Sequence, residues 1–246
     1  MQTTLLFSFA HPDDESFSGV STAMKYAAAG ARIVLVTATR GERGKVGDPP
    51  ICAPEDLAAC RENELREAAA IVGFDAVHIL DYKDQELAAA PPEAMRATLV
   101  QLIRRYRPSI VFTFDPNGFN VHSDHVAISR FTSDAIAAAG DPRWLSDAGS
   151  PHVVSRLLWT PPFPPWEASK FERLEDHAGA DFVVDVAAWR DRKIAALRAH
   201  RTQHLSIDRC FFNQPDLDRV LAVETWRQAW GPPLARRPSA DILEGL

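Results

Sequence analysis

Thr3-Thr4-Leu5-Leu6-Phe7-Ser8-Phe9-Ala10, followed at once by His11-Pro12-Asp13-Asp14-Glu15, is the stretch that decides the fold. The first eight residues form an apolar run of strand length, and the next five are a turn dense in imidazole and carboxylate. Beyond the turn, Phe17, Val20, Met24 and Ala27 recur at three- and four-residue steps, which predicts a helix that Gly30 stops. Arg32–Ala38 is a second apolar run, rich in β-branched residues. Strand, helix and strand over this length predict a right-handed parallel crossover.

The pattern repeats along the chain. The sequence predicts a helix from Glu55 to Val72, a strand over Ala76–Leu80, and a helix opened by Pro92 and closed before Pro108. A fourth strand over Ser109–Phe114 precedes a helix capped by Ser123 and running to Ala139. Strands over His152–Trp159 and Asp181–Val186 follow, then helices over Ala187–Gln203 and Pro215–Ala229. Between those strands, Pro161–Trp166 holds four prolines and reads as an extended surface loop. Alternating strands and helices with continuous apolar strands predict a doubly wound, mostly parallel α/β sheet covered on both faces. No repeat or linker divides the chain, so residues 1–246 are read as a single domain.

Composition narrows the function. With 27 basic and 33 acidic residues the net charge is −6, which argues against a nucleic-acid surface and a polybasic membrane patch. No apolar run reaches the ~18 residues of a membrane span. Cys52, Cys60 and Cys210 form no CxxC pair, so neither a disulfide framework nor a thiolate metal site is expected. Three idle thiols, and an N-terminus without a basic leader, read as a cytoplasmic protein.

The chemistry lies in two clusters. His122-Ser123-Asp124-His125 stands just past the apolar run Ile110–Phe114, as residues 11–15 stand past the first. Open α/β sheets bind ligands beyond the carboxyl ends of strands where strand order reverses. If strands one and four are neighbours there, the clusters meet. His11, Asp14 and His125 then make a two-histidine, one-carboxylate set with a position left for water. Asp13, beside the ligands, is placed as the general base. His122 reads as a group that hydrogen-bonds an oxyanion or protonates a leaving amine, with Asp124 holding its imidazole, or else as a fourth ligand or a residue behind the ligands.

The chain resembles the LmbE-like, or PIG-L-like, metal-dependent N-deacetylases. The resemblance rests on His11-Pro12-Asp13-Asp14-Glu15, on Asp115-Pro116-Asn117-Gly118 with His122-Ser123-Asp124-His125, and on Thr39-Arg40-Gly41-Glu42-Arg43-Gly44. It continues through Arg61-Glu62-Asn63-Glu64, Lys193, His200-Arg201-Thr202-Gln203 and the closing Asp241–Leu246, so it spans nearly the whole chain. It implies a Rossmann-like fold that binds Zn²⁺, or Fe²⁺ in some conditions, through His11, Asp14 and His125. Asp13 would be the base and His122 the electrostatic or acid group supported by Asp124. The implied substrate is an N-acetylglucosaminyl conjugate, of the kind used in low-molecular-weight thiol biosynthesis, contacted by Arg61 and Asp84. Such relatives often assemble as trimers or hexamers. The chain departs from them at Asp84-Gln85-Glu86-Leu87, at Asn120, where some carry a tyrosine nearby, and at Thr202.

Plainer readings compete. Arg61 sits in a charged helix where an ion pair with Glu64 or Glu67 is the ordinary use. His200 reads equally as a pocket wall that binds substrate or as an ordinary helix histidine, and Glu42 as a brace for a ligand histidine or an idle loop residue. Two other functions stay open: an amidase for another N-acyl compound (an antibiotic, polyamine or oligosaccharide) and a metal- or sugar-binding protein without catalysis. A dinucleotide site is excluded, because the first strand-helix turn carries His-Pro-Asp-Asp where G-x-G-x-x-G would be needed.

Overall fold

In the computed structural model, which describes residues 2–164, 167 and 177–246, seven strands form one sheet in the order β3-β2-β1-β4-β5-β7-β6. The first four are β1 (Thr4–Phe9), β2 (Arg32–Thr39), β3 (Ala76–Tyr82) and β4 (Ile110–Thr113). The other three are β5 (Arg156–Trp159), β6 (Phe182–Asp185) and β7 (Val223–Trp230). Every residue of β1 is buried, as a central parallel strand requires, with β2 on one side and β4 on the other. Phe7 lies opposite Phe112 in that register, and their rings stack with centroids 4.3 Å apart. The order reverses between β1 and β4, so the segments leaving their carboxyl ends face one crevice.

The helices are α1 (Asp14–Ser18), α2 (Val20–Ala28), α3 (Leu57–Val72), α4 (Pro92–Tyr106), α5 (Gly118–Val121) and α6 (Ser123–Ala139). Later in the chain come α7 (Arg190–Ala199), α8 (His204–Ile207) and α9 (Leu217–Ala222). α4 packs on α6 and α3 on α7, flanking the sheet. At Gly19, between α1 and α2, a Cβ would stand 3.0 Å from both Phe7 and Trp226. A side chain there would have to push the Phe7 or Trp226 ring aside. α2, α7 and β7 are joined by a buried ion pair: Lys193 Nζ lies 2.6 Å from Glu224 Oε1. Glu224 also accepts from the Ser21 and Thr22 amides and from Thr22 Oγ1.

Four expectations need correction. The helix expected over Pro215–Ala229 is only α9, and the chain then becomes strand β7. β-Branched Val223 and Thr225, with Trp226 fully buried, suit a pleated surface better than a helix. β7 runs antiparallel to both β5 and β6, so this end of the sheet is mixed. The helix expected over Ala187–Gln203 is a 3₁₀ turn followed by α7, and it breaks at His200 (φ −81°, ψ 64°). Ser123 is not the cap of α6; His122 is, its ring nitrogen Nδ1 accepting from the Asp124 amide at 3.2 Å. In the proline loop, Pro161–Pro164 has no regular structure, with Pro161 and Phe163 buried, whereas Pro165 and Trp166 lie outside the described residues.

Candidate active site and metal centre

His11, Asp14 and His125 converge where β1 and β4 end. Asp14 folds back over the strand end because its Oδ2 accepts the amides of Ala10 (3.1 Å) and His11 (2.8 Å). His125, on the first turn of α6, stacks on Phe114 (4.0 Å between centroids) and donates Nδ1–H to the Gly118 carbonyl at 3.1 Å. That contact leaves its Nε2 as a bare lone pair directed at the other two. His125 Nε2 lies 3.2 Å from Asp14 Oδ1 and 3.2 Å from His11 Nδ1, and His11 Nδ1 lies 3.5 Å from Asp14 Oδ2. Ligands ~2.0–2.2 Å from a tetrahedral ion stand roughly 3.3–3.6 Å apart, so these edges are close to what a divalent metal needs.

Two other triples also lie within 4.8 Å: His11 with His122 and His125, and His11 with Asp84 and Asp124. The hydrogen bonds favour His11, Asp14 and His125 over the second of these. Asp124 Oδ2 is 3.3 Å from His11 Nε2 and accepts the Gln85 amide, while Oδ1 accepts the Leu87 amide. Asp84 Oδ1 is 3.1 Å from the same Nε2, and its Oδ2 accepts the Arg43 amide. Two carboxylates on Nε2 keep the proton there and free Nδ1 for an ion. Burial opposes charge on the His11 imidazole, yet Asp124, Asp14 and Asp84 together raise its pKa well above the ordinary value. Burial likewise raises Asp14, but His125 and His11 hold it well below the usual carboxylate range. A pocket that so favours a proton favours a dication for the same reason.

Asp13 adjoins this set in a strained backbone, φ 116°, which costs a non-glycine residue on the order of 1–3 kcal/mol. Arg61, 4% exposed, reaches it from α3: Nη2 lies 3.2 Å from Asp13 Oδ2 and also donates to the Pro12 carbonyl, and Nη1 donates to the Gly41 carbonyl. Gly41 must be glycine, since its φ is +64° and a Cβ would stand 2.2 Å from the guanidinium. Burial pushes the Asp13 carboxyl up to about 6, with Arg61 acting against the rise and Asp14 adding to it. Burial and the neighbouring His11 and His125 lower the pKa of His122. Its Nδ1 accepts the Asp124 amide, so the neutral tautomer carries its proton on Nε2.

These residues surround a cavity of about 360 Å³. His11, Asp13, Asp14, Arg61, Asp84, His122 and His125 all line it. Asp124 and His200 do not. Two expected placements change, those of Asp124 and His200. Asp124 places its carboxylate on His11 rather than on His122, because two backbone amides fix it there. Asp84 is occupied by His11 and Arg43 as well as facing the cavity. His200 is fully buried, with Nε2 2.7 Å from Glu15 Oε1, and is not a wall of this cavity. Arg61 pairs with Asp13 and not with Glu64, which accepts from the Thr202 amide and hydroxyl. Glu42 braces the site by accepting the Asp84 amide at 2.9 Å. Phe17, Gln203, Ser206, Arg209 and Cys210 also line the cavity, and most carried no signal in the sequence beyond their distance from the motifs.

The GlcNAc-PI de-N-acetylase (PIG-L) family profile matches residues 6–136. The chain belongs to the PIG-L family. One PIG-L relative, the 1D-myo-inositol 2-acetamido-2-deoxy-alpha-D-glucopyranoside deacetylase of Streptomyces griseus, is 33% identical over 98% of this chain and 88% of its own length. The conserved protein TT1542 of Thermus thermophilus superposes with TM-score 0.70 at 27% identity, covering 95% of this chain and 97% of its own. The N,N'-diacetylchitobiose deacetylase of Pyrococcus horikoshii shares the fold at TM-score 0.71 and 21% identity, over 92% of this chain and 83% of its own. PIG-L membership makes the chain a metal-dependent N-deacetylase, and the His11, Asp14 and His125 donor set is consistent with that chemistry. Among its described residues no helix is long and apolar enough to cross a membrane.

Proposed function

We propose that residues 1–246 form one hydrolase domain that removes the acetyl group of an N-acetylglucosaminyl conjugate, leaving a free amine and acetate. The observation that carries this is a carboxylate on a strained backbone, Asp13, its side chain 15% exposed, held by Arg61 beside a donor triad on the wall of a cavity. The Streptomyces griseus relative supports the substrate class. His11, Asp14 and His125 would hold Zn²⁺, which when bound supplies Lewis acidity toward the amide carbonyl and lowers the pKa of water.

The chain's own groups do the rest. Asp13, the deprotonated neighbour of the ligands, accepts a proton from the attacking water and passes it to the departing nitrogen. His122 donates Nε2–H to the oxygen on which charge develops, and its lowered pKa keeps that neutral tautomer in place. Asp84 and Asp124 hold His11 in the productive orientation. Arg61 keeps the Asp13 carboxylate over the reacting centre and limits the rise that burial imposes on its pKa. Gln85, Asn120 and Gln203 on the cavity wall offer amides suited to sugar hydroxyls.

The experiment is acetate release from 1D-myo-inositol 2-acetamido-2-deoxy-α-D-glucopyranoside beside non-sugar N-acetyl amides, with and without chelator. Turnover of the sugar conjugate that chelator abolishes and Zn²⁺ restores is expected. Turnover that survives in the metal-free protein contradicts the reading, and preference for a non-sugar amide moves the substrate class.

A further inference from the structure

Glu15 is 1% exposed and absent from the cavity wall, so it does not meet substrate. Yet both of its oxygens are engaged. Oε2 accepts the Asp13 amide at 3.0 Å, and Oε1 accepts from Ser16 Oγ at 2.6 Å and from His200 Nε2 at 2.7 Å. His200 comes from the far end of the chain and is 0% exposed. α7 ends at Ala199, and the non-helical backbone at His200 lets the next segment continue as a separate 3₁₀ turn, Arg201–Gln203. The Ser16 hydroxyl also lies 3.3 Å from His200 Nε2.

A carboxylate and an imidazole are costly to bury, and a helix dipole would have been satisfied by an exposed glutamate. Apart from the neighbouring Ser16 hydroxyl, this pair ends on one group, the N–H of Asp13. The Asp13 carbonyl is taken by the amides of Ser16 (2.9 Å) and Phe17 (3.0 Å), and its carboxylate by Arg61. Its amide goes to Glu15. The peptide is thus held at both ends in a conformation that an aspartate does not choose by itself.

We infer that Glu15 and His200 are positioning residues: the buried carboxylate, pinned by the imidazole, holds the Asp13 peptide left-handed so that the Asp13 side chain faces the reacting centre. The inference deepens the deacetylase reading and rests on it for the role of Asp13. Without the amide acceptor the peptide relaxes toward an ordinary helical first turn, and the base moves away from the water it serves. Misplacement of a reacting group by about 1 Å costs on the order of 100-fold in rate.

The test uses the full chain loaded with Zn²⁺, in the variants Glu15→Ala, Glu15→Gln, His200→Leu and His200→Gln. Glu15→Ala is expected to lower kcat about 10- to 100-fold, with KM and bound metal per chain unchanged. Glu15→Gln keeps an oxygen for the Asp13 amide and recovers most of the loss. His200→Leu, which removes the donor, falls as Glu15→Ala does, and His200→Gln restores a donor and recovers activity. A crystal structure of Glu15→Ala is expected to show Asp13 at negative φ. Wild-type kcat in Glu15→Ala, loss of metal in step with kcat, or Asp13 still left-handed in that crystal overturns the inference. Should Glu15→Ala not fold, His200→Leu carries the same kinetic and crystallographic comparison. If the wild-type chain releases no acetate, the deacetylase reading fails, and the conformation of Asp13 in the variant still decides this inference.

Discussion

Replacing Lys193 by Met should destabilise the fold far more than replacing Lys193 and Glu224 together. Lys193 is fully buried and Glu224 is 5% exposed, so Lys193→Met leaves a carboxylate inside the protein without its cation. Breaking a buried pair from one side costs about 3–5 kcal/mol. Glu224 keeps the Ser21 and Thr22 amides and the Thr22 hydroxyl as donors, which places the loss near the lower end, about 3 kcal/mol. At an unfolding entropy of about 2.1 cal/mol/K per residue, 246 residues give about 0.5 kcal/mol/K. The melting temperature should then fall by about 6 °C. Lys193→Met with Glu224→Gln removes the charge while keeping an acceptor for Thr22, and should recover most of the loss, because a neutral buried amide needs no counter-charge. Thermal and urea unfolding of the two variants beside the parent measure this. A single variant within about 1 kcal/mol of the parent, or a double variant as unstable as the single, would refute the electrostatic account of this junction.

The active site yields further expectations. Asp13→Asn should lower kcat by about 10²–10⁴-fold while metal content, measured by elemental analysis, stays at the parent level; loss of metal would make Asp13 a ligand. Asp84→Asn should weaken metal affinity about 10- to 100-fold through the loosened His11, and calorimetric titration with Zn²⁺ reads it; unchanged metal affinity with raised KM would return Asp84 to a purely sugar-binding role. In a pH series, kcat/KM should rise as Asp13 loses its proton. Its carboxyl stands at about 6 without the ion, and a nearby dication can only lower it, so the acidic limb belongs at or below about pH 6. A limb centred above pH 7 would assign the base to another group. Gly41→Ala should impair turnover more than stability, since the added methyl meets the Arg61 guanidinium that holds the base; parent kcat in that variant would contradict the role given to Arg61.

The convergence of residues 11–15 with 122–125 was legible because each cluster follows an apolar run long enough to be a buried strand, and such strands have their polar exits at one edge. The roles within the clusters were less so. Whether Asp124 serves His122 or His11 depends on the amides of Gln85 and Leu87, which come from another loop and leave no mark beside Asp124 in the sequence. His200 read equally as a pocket wall or as an ordinary helix histidine, and only the break after Ala199 separates it from α7. Glu15 stands in an acidic first turn, where a helix dipole would accept it exposed, whereas its partners are the Asp13 amide and a residue 185 positions away. β7 was missed because Leu217, Val220 and Leu221 begin a helical spacing that the next strand does not continue.

The seating of β7 between β5 and β6 has a consequence for how the chain is made. β6 pairs with no strand but β7 among the described residues, and about 40 residues separate the two along the chain. At about 5–20 residues per second on a ribosome, Phe182 and Val184 emerge roughly 2–8 s before the backbone that completes their ladder. Nascent chains whose exposed part ends between Asp185 and Val223 should therefore display an adhesive, unpaired edge and recruit chaperones, whereas chains exposed to beyond Trp230 should not.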